Sequence, residues 1–246
     1  MASTFELPAP LARLSLFLDF DGTLVPIAAR PDAIQPRPGL VDLLHDVSRR
    51  LDGRLVLVSG RSIADLDRHL GRNGIAIVGS HGHELRFANG ETVARSLDRD
   101  LSEIKAALEA RAGDLPGLEI EMKRYGIALH YRQAPDLADK VRALAGELAD
   151  ALGLSVKHGK MVAEILPRGA DKGEAVRAIM TREAFAGTIP LFIGDDITDE
   201  DGFRAAQQLG GLGVLVGERE GSAAAARLPS HEEVWQLLER MAAEEG

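Results

Sequence analysis

Five short aliphatic runs, Leu14 to Leu18, Leu55 to Val58, Ile75 to Val78, Ile189 to Ile193 and Val214 to Val216, punctuate the chain without alternating apolar and polar positions. Unbroken apolarity over a few residues is how strands buried on both faces read, as in a parallel sheet covered by helices. Stretches of helical period lie between them: Gly39 to Leu51, Ile63 to Leu70, Lys172 to Ala184, Glu200 to Leu209 and Glu232 to Ala243. The alternation predicts a doubly wound α/β fold with a Rossmann-like parallel sheet.

The middle of the chain follows other periods. Leu97, Leu101, Ile104 and Leu108 mark one helix face, and Leu137, Val141, Leu144, Leu148 and Leu152 mark another. Each is followed by strict alternation. Ile120 and Met122 oppose Glu121 and Lys123, and past Gly126 the set Ile127, Leu129, Tyr131 opposes Ala128, His130, Arg132. After a turn at His158-Gly159, the set Met161, Ala163, Ile165 opposes Lys160, Val162, Glu164, Leu166. Period two with one apolar face predicts an antiparallel sheet covered on one side. We therefore expect an inserted α/β cap over residues 97–166, with residues 1–96 and 167–246 forming the core. The second face of its sheet carries Lys123, His130, Arg132, Lys160 and Glu164, which read equally well as solvated surface or as a recognition face.

At 246 residues and 45% hydrophobic content the chain can bury a large core. A net charge of -9 argues against nucleic acid or an anionic membrane as partner, so an anionic ligand would need a local cluster of cations or a metal. The absence of cysteine excludes disulfides and thiolate zinc sites. No stretch approaches the roughly 20 apolar residues that span a bilayer. Met1 to Pro10 lacks the basic and apolar segments of a secretory signal, which leads us to expect a cytoplasmic protein.

Chemistry concentrates where the core strands end. Asp19-Phe20-Asp21-Gly22-Thr23 closes the first run with two acids and a glycine at a sheet's carboxyl edge, where open α/β sheets hold their ligands. The sequence reads either as a strand ending in a turn or as a nucleophilic carboxylate beside an acid/base carboxylate. Ser59-Gly60-Arg61 offers a hydroxyl and an open backbone amide at a helix start, suited to an anion or simply to a cap. Ser80-His81-Gly82-His83-Glu84 brings Glu84 to the same rim or forms a hairpin bend; a zinc site there lacks three visible ligands. In Gly194-Asp195-Asp196-Ile197-Thr198-Asp199-Glu200-Asp201, Thr198 is placed to cap the next helix and the last three acids to sit in its first turn. Asp195 and Asp196 come too early for that role. With Asp19 and Asp21 at one edge they would repel unless a hard divalent cation, Mg²⁺ above all, lies among them. Lys172, at the start of the preceding helix, supplies a positive charge.

In this order the four segments, DFDGT, SGR, Lys172 and GDDITDED, resemble the motifs of the haloacid dehalogenase superfamily of phosphatases. SHGHE, the segment from Lys123 to His130-Tyr131-Arg132, the segment Gly159-Lys160-Met161-Val162-Ala163-Glu164, and Phe203 after GDDITDED look like the trehalose-6-phosphate phosphatases within it. The likeness runs from Leu16 to about Val216.

It implies Mg²⁺-dependent hydrolysis through an aspartyl-phosphate. Asp19 matches the nucleophile, Asp21 the general acid and base, and Ser59, Gly60 and Lys172 the phosphate holders. Asp19, the Asp21 carbonyl and Asp195 match the metal ligands, with Asp196 and Asp199 as supports. Glu84, Lys123, His130, Arg132, Lys160 and Glu164 match residues that read the sugar when the cap closes. A sugar phosphate is the implied substrate, and the resemblance also implies functional coupling to a trehalose-6-phosphate synthase, whether or not the two proteins touch. Two competitors stay open: another sugar-phosphate phosphatase of the superfamily, such as a sucrose-phosphate type, and a non-catalytic sugar-phosphate-binding module. Four retained acid and lysine positions, Asp19, Asp21, Lys172 and Asp195, speak against the module.

Overall fold

The computed structural model describes residues 5–27, 33–94, 101–112, 115–159, 161–169 and 171–244. In chain order the elements are β1 (Leu14–Leu18), α1 (Leu40–Arg50), β2 (Leu55–Val58), α2 (Ile63–Leu70), β3 (Ala76–Gly79), β4 (Glu84–Arg86), β5 (Thr92–Ala94), α3 (Leu101–Ala112), β6 (Glu119–Met122) and β7 (Ile127–His130). There follow α4 (Ala138–Leu152), β8 (Leu154–Gly159), β9 (Val162–Pro167), α5 (Lys172–Met180), β10 (Ile189–Gly194), α6 (Glu200–Gln208), β11 (Leu212–Val216), β12 (Ala226–Leu228) and α7 (His231–Ala243). They divide into two compact units, Met1–Ala94 with Asp171–Gly246, and Arg95–Ala170.

The first unit holds an eight-stranded sheet in the order β12-β11-β10-β1-β2-β3-β4-β5. From β12 to β3 neighbours are parallel, and β4 and β5 return antiparallel. The mixed sheet with covering helices is the expected α/β core. Its apolar runs do not alternate because both faces are dry. From β1, Leu14, Leu16 and Leu18 enter a cluster with Leu40, Leu44 and Val47 of α1 and Val234 and Leu237 of α7. Phe17 points the other way, with Val176 and Ile179 of α5 and Phe203 of α6. Leu191 and Ile193 of β10 join the first cluster, while Phe192 joins the second.

Chain direction across the sheet reverses at β1. From there the chain builds outward through β2 and β3 on one side, and later through β10, β11 and β12 on the other. The Asp19 amide extends the β1–β10 ladder by donating to the Ile193 carbonyl at 2.9 Å. A crevice at such a switch point is where doubly wound sheets take ligands, and the DFDGT and GDDITDED segments leave the sheet there.

Several boundaries differ from the sequence expectation. The helix expected over Lys172 to Ala184 ends at Met180, where the Thr181 hydroxyl turns back onto the Ala178 carbonyl at 2.8 Å; Glu183–Phe185 form a separate turn that buries Phe185. Strands β4, β5 and β12 have three residues each and no apolar run. In β4, Arg86 is buried because Asp67 accepts from both of its terminal nitrogens at 2.7 Å, a pairing that periodicity cannot register.

The second unit is a four-stranded antiparallel sheet, β6-β7-β9-β8, with α3 and α4. Ile127, Leu129, Ala163, Ile165 and Leu154 pack with Ile104, Leu108, Val141 and Leu148, so the two helices contribute to the core of this unit. Leu97, the expected start of the first helix, lies outside the described residues, as does Lys160. Met161 departs from expectation: it takes a left-handed φ of 61° at the β8–β9 turn and is 41% exposed instead of sharing the apolar face.

One glycine in the first unit is set by packing. A methyl at Gly202, inside α6, would lie 2.5 Å from the Phe192 ring, which in turn packs edge-on against Phe203 with centroids 5.7 Å apart. Alanine is normally better than glycine in a helix by about 1 kcal/mol. Here the overpacking cost, about 1–3 kcal/mol, is larger. Gly202→Ala is therefore expected to lower the urea midpoint, and Phe192→Leu in the same chain to recover part of the loss; a raised midpoint for the single variant would refute the packing argument.

Candidate active site

Asp19 follows the last residue of β1 and is 4% exposed; Lys172 is the first residue of α5 and is 3% exposed. The Lys172 ammonium donates to Asp19 Oδ1 at 2.7 Å and to Asp199 Oδ1 at 2.6 Å. Its stem can enter the interior because Asp171 caps α5, its side chain accepting from the Glu174 amide at 2.7 Å, so the helix start turns inward. Asp199 is fully buried and its second oxygen accepts the amides of Asp195 and Asp196, at 3.1 and 3.0 Å.

Asp199 thus corrects the expectation that it sits in the first turn of α6 for the helix dipole. It ends a one-turn helix, Ile197–Asp199, whose cap is Asp196; the Asp196 carboxylate accepts from the Ile197 amide at 2.6 Å in a capping box with Asp199. Asp196 takes the capping role expected of Thr198, which lies inside the turn. The side-chain oxygens brought within 4.8 Å of one another are those of Asp19, Asp195 and Asp199, with Asp196 outside that group.

The charges do not balance. Three carboxylates cluster together, and the one ammonium among them bonds two, Asp19 and Asp199. Burial raises the Asp19 pKa well above the ordinary carboxylate value, Asp199 and Asp195 push it the same way, and Lys172 opposes them. Burial alone would pull Lys172 down, but Asp19 and Asp199 outweigh it and hold the ammonium protonated above the usual lysine range. A surplus of buried negative charge with oxygen-only donors fits a hard divalent cation. The backbone fits as well: Gly22 has φ 88°, and a methyl there would lie 2.2 Å from Asp195 Oδ2, so only glycine lets that carboxylate lie against the Asp21-Gly22 segment.

Asp21 stands in a different environment. Its carboxylate accepts from Arg61 through both oxygens, Nε at 2.7 Å and Nη2 at 2.9 Å, while Arg61 Nη1 donates to Asp65 at 2.6 Å. Burial works against the Arg61 charge, and the two carboxylates more than compensate, raising its pKa. Ser59, 1% exposed, accepts the Arg61 amide on its hydroxyl oxygen at 3.1 Å, which directs its own proton elsewhere. The helix cap that Ser59 was an alternative for is Ser62, which accepts from the Asp65 amide. The His81 ring lies across Gly60, and backbone bonds from Ser80 and His81 to Arg61 and Ser59 tie that turn to the SGR loop. Ser80 and His81 both hold left-handed φ, 49° and 55°, a strained pair that its surroundings must enforce. Glu84 is buried in the first unit, accepting from the Ser80 hydroxyl at 2.7 Å.

In the second unit the register puts Ala128 beside Glu164 and His130 beside Val162, on the sheet face opposite Leu129 and Ala163. Lys123 pairs with Glu164, and His130 Nε2 lies 2.8 Å from Glu121 Oε2. The hydrogen bond from His130 lowers the Glu121 pKa. Arg132 follows β7 and is exposed. Of the residues singled out in sequence, the fold gathers Asp19, Lys172 and Asp195, with Asp21 and Ser59 joined through Arg61. The sequence reading left Arg61 without a role and gave Asp199 only a supporting one. Their signal was present in the SGR motif and in the third acid of GDDITDED, but their partners lie about 40 and 27 positions away.

The family model described as trehalose-phosphatase matches residues 17–233. The trehalose-6-phosphate phosphatase of Escherichia coli (strain K12) is 37% identical over 95% of this chain and 88% of its own. The solved C-terminal domain of C. albicans trehalose-6-phosphate phosphatase superposes with a TM-score of 0.82 at 25% identity, covering 99% of this chain and 100% of that one. A haloacid dehalogenase-like hydrolase from B. subtilis shares the fold at 18% identity, with a TM-score of 0.69 over 93% of this chain and 98% of its own. The match over most of the chain shows that it belongs to the trehalose-phosphatase family of phosphoric monoester hydrolases.

Proposed function

We propose that this enzyme hydrolyses trehalose 6-phosphate to trehalose and inorganic phosphate in two steps, through a phosphoryl group carried on Asp19, with Mg²⁺ beside it. The observation that carries the reading is the buried Asp19 carboxylate held through Oδ1 by Lys172, with Asp195 and Asp199 close by and charge left over.

Phosphoryl transfer needs positioning and charge stabilisation more than covalent help. Lys172 restrains the Asp19 carboxylate through one oxygen and brings one positive charge to the phosphoryl oxygens. The Ser59 hydroxyl, its oxygen occupied by the Arg61 amide, has its proton available for a phosphoryl oxygen, with the Gly60 amide beside it. In the first step an Asp19 oxygen bonds to phosphorus as the bond to the sugar oxygen breaks, and Asp21 gives that oxygen its proton. In the second, Asp21 takes a proton from water, the water oxygen bonds to phosphorus, and Asp19 is released. Asp19, Asp195 and the Asp21 carbonyl would hold Mg²⁺, which when bound would supply positive charge to the reacting oxygens. Asp199 supports that site by holding the Asp195 and Asp196 amides, and Asp196 by capping the same turn.

The sugar is read by Glu84 and by the polar sheet face of the cap, taken here as residues 97–166, through Lys123, His130, Arg132, Lys160 and Glu164. Charged side chains on that face suit hydroxyls, and shielding them from water strengthens each bond. Among the described residues no helix is long and apolar enough to cross a membrane, and we place the reaction in the cytoplasm. The substrate must come from an enzyme that joins a glucosyl unit to glucose 6-phosphate, which makes a trehalose-6-phosphate synthase the functional partner.

A panel of sugar phosphates tests the reading: phosphate release should be fastest from trehalose 6-phosphate and should stop on chelation of Mg²⁺, whereas equal rates on glucose 6-phosphate would remove the substrate claim. Asp19→Asn should abolish turnover with an unchanged circular dichroism spectrum, and normal turnover would reject the covalent route. Arg132→Ala should cost about 10-fold or more in kcat/KM for trehalose 6-phosphate and far less for p-nitrophenyl phosphate; matched losses would mean this residue does not read sugar.

A further inference from the structure

The Asp21 side chain is 36% exposed, stands outside the Asp19, Asp195 and Asp199 group, and has a rotatable carboxylate that must meet the leaving oxygen in one step and a water in the next. What restrains it is Arg61. Both Asp21 oxygens are taken by one guanidinium edge, a fork that fixes the carboxylate plane and its distance together, as a single ammonium cannot. Arg61 is itself held. Its side chain is 10% exposed, and its remaining terminal nitrogen donates to Asp65. Asp65 lies in the first turn of α2, its amide fixed by the Ser62 cap and its other oxygen accepting from Arg68 at 2.6 Å. A rigid helix start is thus connected to the carboxylate by two ion pairs in series.

We propose that Arg61 is a positioning residue that aims the Asp21 carboxylate, and that Asp65 holds Arg61 for this task. The inference rests on the two-step reading above and assigns Arg61 to the acid/base group instead of to the phosphate. This gives the third residue of SGR a task distinct from the one proposed for Ser59 and Gly60.

The consequence is selective. Misplacement of a reacting group by about 1 Å costs roughly 100-fold. A sugar alkoxide is a poor leaving group and depends on a well-placed proton donor, whereas p-nitrophenolate leaves without one. Arg61→Met is therefore expected to lower kcat on trehalose 6-phosphate about 100-fold, and to leave inhibition by inorganic phosphate within roughly threefold of the wild type. In rapid-mixing measurements its first-turnover release of p-nitrophenolate should stay near the wild-type rate. Arg61→Lys should restore only part of kcat, because one ammonium replaces a fork. Asp65→Asn, which touches no substrate, should reduce kcat by a smaller factor, about 3- to 10-fold, with the same leaving-group pattern; it also serves if Arg61→Met fails to fold by thermal unfolding.

A rise in the phosphate inhibition constant matching the loss of kcat would make Arg61 a phosphate ligand and overturn the proposal. So would equal first-turnover losses on both leaving groups, or an Asp65→Asn enzyme indistinguishable from wild type. Failure of the underlying reading has another signature: the wild-type enzyme itself would form no phosphorylated protein on rapid quench.

Discussion

One buried ammonium between two carboxylates organises this enzyme. Lys172 is nearly sealed from solvent, and a charge in that position is tolerable only because Asp19 and Asp199 lie at hydrogen-bond distance. The arrangement joins three segments far apart in sequence: the end of β1, the start of α5 and the turn before α6. Breaking it would strand a charge, so the same contacts that hold the crevice together also hold the carboxylate proposed as nucleophile.

The two acids of DFDGT are separated by environment more than by distance along the chain. Asp19 is enclosed, crowded by Asp195 and Asp199, and restrained by Lys172 alone. Asp21, at the rim, is gripped by a guanidinium through both oxygens. A nucleophile wants a fixed carboxylate stripped of water, and an acid/base group wants access to solvent and leaving group with its aim preserved. The partners suit the roles proposed for the two acids, an ammonium for Asp19 and a guanidinium fork for Asp21. Gly22, directly after Asp21, lets the Asp195 carboxylate approach this backbone.

The second unit divides its sheet cleanly. Leu129, Ala163 and Ile165 enter the core with α3 and α4, while Glu121, Lys123, His130 and Glu164 are engaged with one another on polar ground. Paired charges on this face keep the side chains in place, and hydroxyl groups are the ligand chemistry proposed for them.

Period and run length along the chain determined most of the architecture: five buried strands, helices between them, and an inserted antiparallel sheet. These follow from which faces must be dry, and that is a local property of residue order. The acids at the strand ends were legible for the same reason, since a strand's end is visible where its apolar run stops. Partnership was not legible. Asp199 looked like a helix-start charge and became the buried companion of Lys172, Asp196 became a cap, and Arg61 closed on Asp21 from a neighbouring strand's end. Such pairings depend on which loops the sheet order brings side by side, and only the tertiary structure decides that, because a charge is buried where a partner meets it and not where its own neighbours in sequence would put it.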